Sequence, residues 1–262
     1  MLIVVSPAKS LDYESRLATK KFSEPEMLDR SAELVSIMAT KSPDDISKLM
    51  GVSAELGELN FQRFQDWEQP FTKKNARAAI LAFNGDVYTG LDAPNSFSER
   101  DFTHAQKTLR ILSGLYGLLR PLDLMAPYRL EMGTTLVNPS GKNLYDFWGT
   151  DIAERLNRDI EASPGSNVLI NLASNEYFGA VDQRVIEAPI VSPVFLDARG
   201  DGEHKIISFF AKQARGAMSK WIIQNRVNAR RSLTEFDGMG YAYDADQSTR
   251  ERPVFKRRTE PV

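Results

Sequence analysis

The sequence predicts a mixed α/β protein: one compact domain with a central mixed sheet and surrounding helices. Three observations carry this. Short apolar runs bounded by turn formers, such as Leu2-Ile3-Val4-Val5 before Pro7 and Val168-Leu169-Ile170-Asn171-Leu172, have the length and β-branched content of buried strands. Longer segments open on a hydroxyl residue with an acid close behind and then carry apolar residues at helical spacing. Strands and helices alternate too irregularly for a doubly wound sheet, and no repeat or linker-like tract divides residues 1–262.

In chain order, Leu2 to Val5 is the first strand. Ser23 with Pro25 predicts a helix whose buried stripe is Met27, Leu34, Val35 and Met38. Ser42-Pro43-Asp44-Asp45 predicts the next start, with a hydroxyl cap, a Pro where its missing N–H costs nothing, and acids at the positive helix end. Ser53 caps a third segment containing Leu56, Leu59, Phe61 and Phe64. Residues 78–83 read as a buried strand before the turn Asn84-Gly85-Asp86. Ser98 opens a long helix expected to run through Leu109 and Leu112 to Gly114. Residues 143–160 are helical, with Leu144, Phe147, Trp148, Ile152 and Leu156 on one side. Residues 190–196 form a strand, and the turn Arg199-Gly200-Asp201-Gly202 leads into a hairpin with 206–209. A helix over 210–226 follows, and residues 241–243 pair with Val254 and Phe255 in a terminal hairpin.

Composition narrows the chemistry. Cys is absent and His occurs only at 104 and 204, which excludes disulfides, iron–sulfur clusters, a Cys nucleophile and a three-His zinc site. No metal site and no cofactor are expected. The apolar start is too short for a secretory signal, and no stretch approaches the roughly 18 apolar residues of a membrane span, so the chain is read as cytoplasmic and free of membrane. Lys and Arg total 33 against 35 Asp and Glu, a balance that by itself points away from nucleic acid. The signs are segregated, however: residues 12–68 carry 12 acids and 7 bases, whereas 205–231 carry 7 bases and no acid. A basic end of this kind favours a polyanion.

The 210–226 helix is the leading candidate for binding. At 100° per residue Lys212, Arg215, Ser219, Arg226 and Arg230 share one face, with Gly216 and Ser219 small enough to admit a phosphate backbone. An ordinary solvated face is the competing reading, although such faces usually mix signs. A second candidate is Gly114-Leu115-Tyr116-Gly117, flanked by Arg110 and Arg120. A helix ending in Gly-x-x-Gly and reopening exposes N–H groups as a phosphate seat, the arrangement of a helix-hairpin-helix-like element, while a plain helix cap explains the same spacing. Ser6-Pro7-Ala8-Lys9 matches the Ser-x-x-Lys pattern of acyl-enzyme hydrolases, but its companion motifs are absent. Lys9 nonetheless follows a strand end, where α/β proteins place ligand groups. In Pro127-Tyr128-Arg129-Leu130-Glu131-Met132-Gly133, Arg129 either contacts phosphate or pairs with Glu131. Residues 171–177 present polar groups after another strand end. Neither His has a ligand-spaced partner.

The segments Leu2-Ile3-Val4-Val5-Ser6-Pro7-Ala8-Lys9-Ser10-Leu11-Asp12, Phe83-Asn84-Gly85-Asp86-Val87-Tyr88-Thr89-Gly90-Leu91, Leu112-Ser113-Gly114-Leu115-Tyr116-Gly117-Leu118-Leu119-Arg120-Pro121-Leu122-Asp123, Pro127-Tyr128-Arg129-Leu130-Glu131-Met132-Gly133, Asn171-Leu172-Ala173-Ser174 and Phe210-Ala211-Lys212-Gln213-Ala214-Arg215-Gly216 resemble, in order, the bacterial YaaA peroxide-stress protein family. The resemblance implies a cytoplasmic protein that limits hydrogen-peroxide damage, linked to restraint of free iron. It also implies binding of double-stranded DNA through a basic cleft and a helix-hairpin-helix-like element. Carried onto this chain, it points to 114–120, Arg129, Lys212, Arg215 and Lys9.

The leading expectation is therefore a monomer that binds duplex DNA largely without sequence preference, through Lys9, Arg110, Gly114, Gly117, Arg120, Arg129, Lys212, Arg215 and Arg226. An enzyme acting on damaged DNA or a nucleotide, glycosylase-like and using Lys9, Asp86 or Asp123, is the alternative. A carboxylate iron buffer ranks third, since without Cys and with only two His the chain lacks the ligands to chelate iron tightly.

Overall fold

In the computed structural model, which describes residues 1–259, burial from both sides dictates the central sheet. Leu2–Val5 is sealed from solvent, so its side chains meet packed layers above and below, and it takes the middle of five strands. The order is Gly117–Leu119, Leu109–Ser113, Leu2–Val5, Leu169–Leu172, Ile190–Val191. Leu2–Val5 runs parallel to both neighbours, with Val5 beside Ile111 on one side and Leu172 on the other. Ile190–Val191 continues the parallel set, and Gly117–Leu119 turns back antiparallel at the opposite edge. A second sheet places Val254–Thr259 between Val194–Arg199, parallel, and Ala242–Asp244, antiparallel, so the terminal hairpin forms. Phe195 packs against Phe236, Tyr241 and Phe255 and carries this sheet into the common apolar core.

Helix starts follow their caps. Ser42 and Ser98 form reciprocal capping boxes with Asp45 and Asp101, and Ser53 caps Ala54–Gln65. Gly51 ends Pro43–Met50 in the left-handed region (φ 60°), so a short turn suffices to reverse the chain into Ala54–Gln65. The expected helix over 143–160 is two, Leu144–Trp148 and Asp151–Ala162, divided at Gly149 (φ 47°).

The structure corrects several expectations. The Glu99–Thr108 helix stops at Thr108, and Leu109–Ser113 with Gly117–Leu119 is a β-hairpin, so there is no helix-hairpin-helix at Gly114 and Gly117. Consecutive apolar residues here are covered on both sheet faces, which a surface helix cannot achieve. Both glycines are buried: a side chain on Gly117 (φ 64°) would meet the Trp148 ring at 2.7 Å, and one on Gly114 would press on the Leu130 carbonyl. Residues 79–82 form a helical turn rather than a strand, the alanines favouring it, with the Ala79 and Ile80 N–H groups donating to the carbonyls of Asp123 and Pro121. Ser23 caps nothing; its hydroxyl donates to Asp123 at 2.6 Å, and the helix begins at Leu28. The 190–196 strand divides between the two sheets around Pro193. The hairpin expected with 206–209 shrinks to one bridge between Asp197 and Lys205, because the helix begins at Ser208.

That helix, Ser208–Gln224, is covered on more sides than its charge pattern implied. Gly216 and Ser219 are buried rather than open to a phosphate backbone. A Cβ on Gly216 would lie 2.7 Å from the Leu91 nitrogen, and one on Gly90 would lie 2.8 Å from the Gln213 carbonyl carbon. These glycines let the short Asp86–Leu91 helix lie directly against Ser208–Gln224.

Candidate functional site

The topology creates a crevice. The chain leaves Leu2–Val5 toward Leu109–Ser113 on one side and leaves Leu169–Leu172 toward Ile190–Val191 on the other. Loops beyond the carboxyl ends of the two central strands therefore diverge, as they do where open α/β sheets bind ligands. A cavity of about 420 Å³ lies there, bounded by Ser6–Ser10, Asn84–Tyr88, Ser174, Glu176, Tyr177, Lys212 and Arg215.

Its floor is tied together by hydroxyl groups. The Ser174 N–H donates to Ser6 Oγ at 2.8 Å, and the two hydroxyl oxygens lie 3.2 Å apart. The Tyr88 hydroxyl donates to the Ser6 carbonyl at 3.1 Å. Burial raises the Tyr88 and Tyr177 phenols well above their ordinary range, so both remain protonated donors at neutral pH. Gly114 allows the loop through Leu130 to cross the end of Leu109–Ser113 at close range, which places Glu131 beside Lys9.

The cations differ in their company. Lys9 Nζ lies 2.6 Å from Glu131 Oε2, and Arg129 Nη2 donates to Glu131 Oε1 at 3.0 Å. Burial works against ionisation of Glu131, but Lys9 and Arg129 outweigh it and hold the carboxyl below its usual range. Lys212 faces Asp86 more loosely, at 3.7 Å. Arg215 is half-buried and has no carboxylate within 4.0 Å among the described residues; burial without a counter-charge lowers its pKa. A charge left this way is stabilised by an incoming anion.

Of the residues singled out from sequence, Lys9, Lys212 and Arg215 meet in the crevice, and Arg129 stands behind it through Glu131. The others do not join them. Arg110 is buried on its strand with Nε 2.6 Å from Asp159. Arg120 is held by Asp123 and Glu26 at 2.9 and 2.6 Å. Arg226 lies beyond the helix end, 2.7 Å from Asp101. Gly114 and Gly117 act in packing. Of the carboxylates considered for catalysis, Asp86 lines the crevice, whereas Asp123 is buried beneath Arg120. Sequence reasoning missed Tyr88 as part of the floor, although it follows the Asn84-Gly85-Asp86 turn closely.

The family model for Peroxide stress protein YaaA matches residues 1–247. The chain belongs to that family. The YaaA match spans every segment that builds the crevice, from Ser6 to Arg215, and ends in the turn after Ala242–Asp244. Membership makes the chain a peroxide stress protein. Among the described residues of this YaaA family member, no helix is long and apolar enough to cross a membrane.

Proposed function

We propose that this peroxide stress protein binds duplex DNA through phosphate contacts at the mouth of the crevice, with Arg215 as the central contact and Lys212 and Lys9 beside it. The observation that carries the reading is the half-buried Arg215 guanidinium, which has no carboxylate partner among the described residues at a site where α/β sheets take ligands. Backbone contacts of this kind hold DNA without reading its sequence. The pairing of Arg110, Arg120 and Arg226 with acids shortens the footprint from a long basic track to a local one.

A local footprint has a numerical signature. Each neutralised phosphate contributes about −0.9 to the slope of log K against log salt, so a contact set of this size gives a slope of about −2 to −3. Fluorescence anisotropy of a mixed-sequence duplex across a KCl series measures it. Arg215→Ala is expected to weaken binding by roughly tenfold and to make the slope shallower by about 1. A flat salt response, or an Arg215→Ala variant that binds like the parent, overturns the reading.

A further inference from the structure

We infer that the crevice receives one nucleotide swung out of the duplex, and that Phe209 and Ile206 fill the gap it leaves in the base stack. The inference rests on the DNA-binding reading of the same site and extends it to what enters.

Size is the first reason. About 420 Å³ suits a single small organic ligand, for which pockets run roughly 300–1,000 Å³, and it cannot admit a length of duplex. Charge is the second. Asp86 and Glu176 line the crevice together with the cations, and two carboxylates are unfavourable in a site for bare phosphate. They become useful when the ligand carries N–H donors as well as a phosphate, and the edges of nucleobases carry such donors. Glu176 takes the Gly133 N–H at 3.1 Å on Oε1 and keeps Oε2 as a second acceptor. Tyr177 adds an aromatic ring to the same wall.

Two exposed apolar side chains, at and just before the start of the helix that carries Lys212, separate an extruded nucleotide from a free one. Phe209 is 50% exposed and Ile206 60%, both large apolar side chains left in water. Phe209 lies three residues before Lys212 on the Ser208–Gln224 helix, so the two share a face and the apolar knob stands beside the proposed phosphate contact. A free nucleotide makes no use of such a knob. An opened base step does, because apolar side chains inserted there replace lost stacking. Extrusion also removes the target base from its partner, so a nucleotide that is already unpaired enters at lower cost.

The test uses the full-length protein and duplexes carrying 2-aminopurine, whose emission rises when it unstacks, placed either in a fully paired site or opposite a mismatch. The expected results are a several-fold rise in emission at saturation and binding of the mismatched duplex at least about tenfold tighter than the paired one. The double variant Phe209→Ala with Ile206→Ser, both at exposed positions, is expected to keep the parent's melting temperature and the salt slope set by the cations. It should lose the emission rise. Binding of both duplexes with equal affinity and unchanged emission overturns the inference and leaves the phosphate reading standing. Binding of neither duplex overturns both. Saturable binding of free deoxyadenosine monophosphate, with 2-aminopurine undisturbed in DNA, overturns extrusion in favour of a free-nucleotide site. An emission rise that survives the double variant removes the wedge.

Discussion

Replacing Gly216 with alanine is expected to destabilise the protein and to weaken DNA binding, although intrinsic helix preference argues the other way. Alanine in a helix interior is favoured over glycine by about 1 kcal/mol, so on propensity alone the change would raise the melting temperature. Here the new methyl would sit 2.7 Å from the Leu91 nitrogen and 2.8 Å from the Val87 carbonyl carbon. Both are backbone atoms of, or beside, a helix packed on two other elements, so no rotamer change relieves the clash. Overpacking of this sort costs about 1–3 kcal/mol and occasionally more, which outweighs the propensity gain. A net loss of about 1 kcal/mol lowers Tm by roughly 2–4 °C in a chain of this size. Gly216→Val, with two further methyl groups and a stiff χ1, should lose more. The functional consequence follows from place: Gly216 sits next to Arg215, and pushing Asp86–Leu91 away alters the spacing of Asp86 and Lys212 across the crevice. Thermal melts followed by circular dichroism decide the matter, and a Gly216→Ala protein that melts at or above the parent contradicts the packing account.

Asp159→Ala is expected to have the largest effect on stability, because it strands the Arg110 charge inside the protein. Arg110 and Asp159 are both buried, with Nε to Oδ2 at 2.6 Å, and Arg155 donates to the second carboxylate oxygen at 2.9 Å. Removing one partner of a buried pair costs about 3–5 kcal/mol, chiefly through the uncompensated charge that remains. That corresponds to a Tm drop of roughly 6–20 °C. Replacing both members, Arg110→Met with Asp159→Leu, removes the charge along with its partner and should recover most of the loss. A double variant no more stable than Asp159→Ala would refute this explanation. The acid limb gives a second check. Burial opposes ionisation of Asp159, yet the hydrogen bonds and charges of Arg110 and Arg155 prevail and hold its folded-state pKa below the ordinary carboxylate value. The stabilisation is therefore complete above the unfolded-state pKa, near 3.9, and is lost as pH falls through the lower folded-state value. Asp159→Leu with Arg110→Met should flatten that part of the stability–pH curve.

Much of the secondary structure was legible because its signals are local. Ser42 with Asp45 and Ser98 with Asp101 are neighbours in the chain, and each pair meets as a capping box whatever surrounds it. Leu2–Val5 declared itself as a strand through an unbroken apolar run. Legibility failed where local preference was evenly balanced and tertiary burial cast the deciding vote. Residues 109–113 suit a helix or a strand, and the sheet beside Leu2–Val5 claimed them. Residues 79–82 went the other way once their N–H groups found the 121–123 carbonyls.

The site divides along the same line. Lys9 at a strand end and the acid-free stretch containing Lys212 and Arg215 are features of the primary order, and the crevice gathers them. Whether a given cation stays available depends on which carboxylate folds up beside it, and those acids come from remote segments: Glu131 for Lys9, Asp159 for Arg110, Asp101 for Arg226. Coulomb energy varies with distance in space and takes no account of separation along the chain. Residue types and caps alone thus determined that this protein would be an α/β body with a concentrated basic segment and no cysteine thiolate to bind a metal. Only the packing of Gly90 and Gly216, the crossing of the 127–133 loop over a strand end and the divergence of two central strands decided that Arg215 would face the crevice with no carboxylate partner among the described residues.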